Sequence, residues 1–401
     1  MNGWSRIAAL AVAWGCAFAL YVARGGFAAL FFCCSVSFIF GCAILSTRLT
    51  LRRVEAVRAM PQFHCFAGDD AAVSVTVTHR SYMPLVWMVV KDVWTGPGGE
   101  TFAHSKLAFP WFDRSVTFRY RIRSVRRGAY RFERTELVTG DPFGLLVRRR
   151  SVENAMTFTV YPRPLDDVAP PVGADGSGRP LPFTAAAAPA SPSGVRDYAA
   201  GDPPQRIHWK ATARTGALKT KTASPSTGDR LIIALDNSRF SYAEPGSAHL
   251  LETAVRAAAG LLCTAYQTGR PAGLCCPGGA VLSLPASRFA DLKAGFEWLA
   301  FVRPDGCRPF AGFVERESAH WPPDSAPVLV TPNADDALIA AIRKLRARLR
   351  GVTLVLIEGA PVSGWRNRRF MKLLDEIGCA VLPIAALCDE RTEGETEDVI
   401  A

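Results

Sequence analysis

The chain begins with two uncharged apolar runs, 7–23 (IAALAVAWGCAFALYVA) and 27–45 (FAALFFCCSVSFIFGCAIL), separated by Arg24-Gly25-Gly26. Each is close to the roughly 17–25 residues that a helix needs to cross a bilayer. The pattern therefore predicts two N-terminal transmembrane helices joined as a hairpin over 1–47. A cleaved signal peptide is the alternative for the first run, and a second long apolar run directly behind it argues against that. Arg6 precedes the first run and Arg48, Arg52 and Arg53 follow the second, whereas only Arg24 lies between them. The positive-inside rule then predicts that both termini and the soluble domains lie in the cytoplasm.

From 52 to 164 the pattern changes to period two. AAVSVTVTH (71–79) alternates apolar and polar residues, LVWMVVKDVW (85–94) is β-branched and aromatic, and SVTFRYRIR (115–123) puts Val116, Phe118, Tyr120 and Ile122 on one face. Arg126-Arg127-Gly128 reads as a turn, and AYRFERTELV continues as a strand. Short strands with regular turn signals predict a β-sandwich-like domain. Asp141-Pro142-Phe143-Gly144 reads as a tight turn with Phe143 as its core anchor. Arg148-Arg149-Arg150 fits a solvated strand end or a lipid-headgroup contact. Residues 165–193, rich in Pro, Ala, Gly and Ser, read as a linker.

Beyond 194 the apolar runs become continuous. RLIIALD (230–236), APVLVTP (326–332) and GVTLVLIEG (351–359) have the texture of strands buried on both faces. Helical spacing recurs at 249–267, 287–301, 335–350 and 363–377, with Leu338, Ile342, Leu345 and Leu349 as the stripe of the third. PAGLCC, AVLSLP and CAVLPIA supply further short strands. Alternation of strand and helix predicts a doubly wound α/β domain over 194–388. The tail 389–401 is acidic, which suits disorder or folding back onto a basic face.

Composition narrows the chemistry only slightly. A formal net charge of +11 suits nucleic acid, anionic lipid or an acidic protein partner alike. The 11 cysteines include no C-x-x-C pair, so they read as reduced thiols, with Cys275-Cys276 in a buried strand. The six histidines form neither H-x-H nor H-E-x-x-H, and no phosphate-binding G-x-x-x-x-G-K-[ST] or G-x-S-x-G is present. An enzyme would have to assemble its site across the fold.

The segment GVRDYAAGDPPQRIHWKATART (194–215) is the most concentrated polar feature. Asp202 suits an N-cap, Pro203 the first helical position and Gln205 a capping-box partner. Arg196, Asp197, Asp202 and Arg206 can form an ion-pair network over Trp209, with Tyr198, Gly201, Lys210 and Arg214 completing a lock and docking face. Nucleic-acid binding is disfavoured, because that chemistry uses an open aromatic and basic platform. Arg343, Lys344, Arg346, Arg348 and Arg350 on one helix, and Arg366, Arg368, Arg369 and Lys372 on another, read as solvated faces or as contacts for anionic lipid or an acidic partner.

RDYAAGDPPQRIHWKATART (196–215), the strand that ends at Asp236, RRGAYRF (126–132) and DPFGL (141–145) together resemble the family called domain of unknown function fifty-eight. The resemblance implies a bacterial inner-membrane protein with a von-Willebrand-A-like domain that acts with a MoxR-type AAA+ ATPase. It also implies a divalent-metal motif, D-x-S-x-S plus a distant Thr and Asp, suited to magnesium. Here Asp236 and Ser238 fit, Phe240 replaces the second Ser, Thr331 and Asn333 stand where an Asp is usual, and no distant Thr is evident. The expectation is a degenerate site with no cofactor, magnesium being the alternative. Asp236, Ser238, Thr331, Asn333 and Asp335 would line a strand edge that takes a protein partner. The functional expectation is a membrane-anchored adaptor that docks the ATPase or its client, with a hydrolase acting at the strand ends as the alternative.

Overall fold

The computed structural model describes residues 3–50, 53–60, 65–81, 84–142, 146–166, 168, 194–197, 212, 214, 218–222, 230–244, 247–279, 281–284, 289–323, 325–349, 351–359, 364–386 and 396–398. Two compact units form, one from 1–160 with 391–401 and the other from 161–390.

The first unit opens with helices α1 (Gly3–Arg24) and α2 (Phe27–Leu49). They reverse at Gly25 and Gly26, whose φ values of 56° and 95° lie where residues with a side chain are strained. The expectation that these helices cross a membrane is corrected: among the described residues no helix is long and apolar enough to do so. Polar groups interrupt α2. The hydroxyls of Ser35, Ser37 and Ser46 donate to carbonyls of their own helix, and Trp14 Nε1 donates to Ser37 Oγ at 2.8 Å. The multi-pass inner-membrane placement is corrected with it.

The same unit then builds two sheets on one core. One runs β1 (Arg53–Ala59), β3 (Ala71–Arg80), β6 (Ser115–Ile122) and β17 (Thr396–Asp398), in that order. The other runs β2 (Cys65–Phe66), β8 (Val147–Tyr161), β7 (Gly128–Gly140), β4 (Met88–Thr95) and β5 (Thr101–Ala108). Period-two burial follows the sequence: Val73, Val75 and Val77 of β3 and Phe118, Tyr120 and Ile122 of β6 point inward against Val90, Trp94, Phe132 and Leu137 of the facing sheet. Bulges at Val93/Trp94 and Phe132/Arg134 shift the register.

Inside this core lies an ion pair that no local pattern announces. Arg58 and Asp92 are both fully buried. Asp92 accepts from Arg58 Nε at 3.1 Å and Nη2 at 2.5 Å, from Tyr120 OH at 2.7 Å and from Thr135 Oγ1 at 3.1 Å. Arg58 also donates to Asn154 O, and its guanidinium lies 4.4 Å from the Phe132 ring centre. At the expected 141–144 turn, Asp141 takes the amide of Leu146 and its carbonyl takes Trp87 Nε1; Phe143 lies outside the described residues.

The second unit is a mixed α/β layer structure. A two-stranded ribbon pairs β9 (Gly194–Asp197) with β10 (Lys219–Thr222). The main sheet has the order β13 (Leu282–Leu284), β12 (Ala272–Cys275), β11 (Leu231–Leu235), β14 (Ala326–Thr331), β15 (Thr353–Glu358) and β16 (Ala380–Ala385). All neighbours are parallel except β12 and β13. Every residue of β11 is buried, as expected of a strand covered on both faces. Helices α3 (Ala248–Gln267) and α4 (Phe289–Ala300) pack against each other, α3 lying against β11, β14 and β15. Helices α5 (Phe310–Glu317), α6 (Asp336–Arg346) and α7 (Gly364–Glu376) share a core with Ile232, Ala234, Leu329 and Leu354. Gly260 of α3 lets the incoming chain lie close: a Cβ there would stand 2.3 Å from Leu165 O. Basic residues on and just after α6 make contacts within the unit. Lys344 pairs with Glu315, Arg346 Nε donates to Ile377 O, and Arg348 donates to the carbonyls of Ser318 and Trp321.

Candidate functional site

The strand order places β11 and β14 side by side while their connections leave in opposite directions. At such a switch point the carboxyl ends open a crevice. Asp236 leaves β11 there and Thr331 ends β14, so two distant segments deliver polar side chains to one place.

Asp236 is 0% exposed, and both of its oxygens are engaged. Oδ1 accepts from the Ser238 amide at 2.9 Å; Oδ2 accepts from Ser241 Oγ and from Thr331 Oγ1, each at 2.7 Å. Ser238 Oγ lies 3.0 Å from Ser241 Oγ, and Tyr242 OH donates to the Asp236 carbonyl at 2.9 Å. Thr331 Oγ1 also accepts from the Asn333 amide at 3.1 Å, so the loop after β14 is fixed by the same hydroxyl. Burial raises the Asp236 carboxyl above its ordinary range, and the bonds from Ser241, Ser238 and Thr331 oppose that rise.

Asn237 ties the surrounding loops together. Its Nδ2 donates to Arg303 O at 3.0 Å, its Oδ1 accepts from the Gly278 amide at 3.1 Å, and its carbonyl accepts from the Gly306 amide at 3.0 Å. Cys276 sits beside this hub, and burial pushes its thiol up to about 11, so it stays protonated near neutrality.

A cleft of about 50 Å³ opens beside the network, lined by Asp236, Ser238, Phe240, Ser241, Asn333 and Asp335 among others. One water needs roughly 10–15 Å³ on that scale, so the cleft holds a few waters or the tip of one side chain. Phe240 is 53% exposed at its rim, with the Arg239 guanidinium 5.1 Å from its ring centre. Asp335 caps α6 by accepting from the Leu338 amide at 2.7 Å, which commits one of its oxygens.

The expected positions Asp236, Ser238, Thr331 and Asn333 thus converge. Thr331, standing where an Asp is usual, reaches Asp236 across the switch point. Ser241 was missed because it stands one residue beyond the D-x-S-x-S spacing; the turn after Ser238 brings its hydroxyl to the place that Phe240 leaves. Its proximity to Asp236 and Ser238 in sequence was the available signal. Of the 196–214 positions, Arg196 and Asp197 lie on β9 and Arg214 is helical and exposed. Tyr198, Gly201, Asp202, Arg206, Trp209 and Lys210 lie outside the described residues.

The donor set does not fit a divalent cation as it stands. It offers hard oxygens, but the Asp236 carboxylate already accepts three short bonds, Asp335 has one oxygen committed to the α6 cap, and Thr331 occupies the place of a further acid. Among the described residues no three His, Cys, Asp or Glu side chains gather closely enough to hold a metal.

Comparison with known proteins gives the chain its relatives. Residues 194–291 match the family described as Protein of unknown function DUF58. The chain is 30% identical over 328 residues to the Bacillus subtilis (strain 168) protein described as uncharacterized protein YeaD, covering 79% of each. Among solved structures, a von Willebrand factor type A protein from Catenulispora acidiphila is 17% identical, with 41% of this chain and 40% of that one covered at a TM-score of 0.26. Proximal thread matrix protein 1 from the mussel byssus is 16% identical, with 38% and 43% covered at 0.27. The chain spans less than half of either structure, and likenesses this weak carry no argument. The match over the ribbon, β11 and α3, together with a relative that aligns along most of both chains, places this protein in the DUF58 family.

Proposed function

We propose that the α/β unit is a protein-docking module and that the chain acts as an adaptor, its partner seated on the cleft at the β11 and β14 ends. The observation that carries this reading is the closure of the Asp236 network. Three donors engage the buried carboxylate, so the groups left to meet a visitor are those at the rim: Phe240, Asn333 and Asp335. An exposed aromatic beside polar groups on a rigid edge is the usual make-up of a protein contact. A hydrolase at this edge would need a free base for its hydroxyl, and the carboxylate that Ser241 and Thr331 meet is already engaged by three donors. The partner implied by the family resemblance is a MoxR-type AAA+ ATPase or its client.

The test places a photo-crosslinking amino acid at Phe240 in the intact chain, expressed in its native cells, with the exposed Phe289 as control position. Adducts with an AAA+ ATPase or one recurrent client at position 240, and not at 289, are the expected result. Equal labelling at both positions, or none at 240, refutes the reading.

A further inference from the structure

The acidic C-terminal tail does not simply trail from the α/β unit. Its residues Thr396–Asp398 return to the first unit as β17 and pair antiparallel with β6. The register sets Thr396 opposite Ile122, Glu397 opposite Arg121 and Asp398 opposite Tyr120. On its other side β6 pairs with β3 along its whole length, so β17 occupies what is otherwise the edge of that sheet.

Three features make this edge a docking site. The first is that the edge accepts a strand, because an unpaired row of N–H and C=O groups is a template for one. The second is charge. β6 carries Arg119 and Arg121 on its exposed face and Arg123 just beyond, while the tail DERTEGETEDVIA is acidic. Opposite charges directly across an antiparallel pair favour the pairing. The third is coverage. β17 spans only 120–122, and among the described residues no strand pairs positions 115–119 on that side. A longer strand would therefore form more of the ladder than the tail does.

We propose that the β6 edge is a strand-addition site for an extended acidic segment of a partner protein, and that the chain's own tail is its resident competitor. Main-chain hydrogen bonds supply affinity in this mode of recognition and side-chain pairing supplies selectivity. Tethering gives the tail an effective concentration in the millimolar range, so a partner must offer a longer or better-matched strand to displace it. The site lies on the first unit and does not depend on the Asp236 cleft.

A fluorescein-labelled peptide of residues 389–401 serves as the probe. Its binding is measured by anisotropy against the intact chain, a chain ending at Cys388, and the intact chain carrying Glu397→Pro, which removes an amide from the tail strand. The peptide should bind the shortened and proline chains about tenfold or more tightly than the intact one. A scrambled peptide of the same composition should bind several-fold more weakly, and Arg121→Glu should weaken the shortened chain's binding. Hydrogen exchange at 120–122 in the intact protein should speed up with Glu397→Pro, a readout that does not require the shortened chain to fold. Equal binding to intact and shortened chains, equal binding of the scrambled peptide, or unchanged exchange at 120–122 each overturns the proposal. So does a dimer in which the tail of one copy crosslinks to β6 of another.

Discussion

Replacing Asp92 by alanine removes the acceptor of four hydrogen bonds from a site where both charged partners are fully buried. What remains is a guanidinium held by Asn154 O and the face of Phe132, and two hydroxyls, on Tyr120 and Thr135, without their acceptor. Breaking a buried pair from one side costs about 3–5 kcal/mol, against a typical domain stability of about 5–15 kcal/mol. Removing the whole polar group tells the two contributions apart. The combined variant Arg58→Met, Asp92→Leu, Tyr120→Phe and Thr135→Val leaves only the half-buried Asn154 carbonyl without its donor and should fall within about 1 kcal/mol of the parent or exceed it. Urea unfolding of the β-sandwich followed by circular dichroism reads both, with the m-value checked for constancy. A loss below about 1 kcal/mol for Asp92→Ala, or a combined variant as weak as the single one, refutes the claim that an uncompensated charge dominates the cost.

Burial raises the Asp236 pKa above its usual 3.8, so above that pH the folded protein binds a proton that the unfolded chain releases. Stability should therefore decline as pH rises through the folded pKa, and Asp236→Asn should flatten that decline in a series of Tm measurements; an unaltered slope sinks the assignment. Gly260→Ala would force a Cβ to 2.3 Å from Leu165 O and should cost about 1–3 kcal/mol by overpacking, with proteolysis near 165 quickened; unchanged stability and cleavage would show that the chain gives way freely. His79 is pushed below its ordinary 6.5 by burial, partly offset by the nearby Asp113 backbone, so its stabilising effect holds above 6.5 and is lost as pH falls through the folded value. His79→Leu should shrink the acid-side loss of stability of the β-sandwich, and an identical acid profile would exclude His79 as its source.

What the sequence made legible was whatever burial writes as a period. The alternation of β3 and β6 and the continuous apolar run of β11 match the burial found. Asp335 was legible as a residue of the strand edge, and the structure adds its role as the cap of α6. Contacts between distant segments were not legible. Arg58 lies in RVEAVRA, and nothing in that local pattern names its partner 34 residues away. Thr331 was placed at the strand edge with Asp236, but its bond to the carboxylate, and the part Ser241 plays, come from the strand order and a turn. The apolar N-terminal runs show the opposite failure. Residue counting suggested a membrane span, whereas the structure turns those runs into a hairpin whose serines and Trp14 bond internally.

The pairing of β17 with β6 also sets an order of events during synthesis. More than 270 residues separate the two strands, so all of them must be synthesised before the sheet can be completed. At roughly 5–20 residues per second, the β6 edge of the nascent chain stays open for tens of seconds, and longer while β17 itself is still within the ribosome. Any acidic extended segment nearby during that interval meets no competitor. An assembly that the mature protein resists could thus form as it is being made.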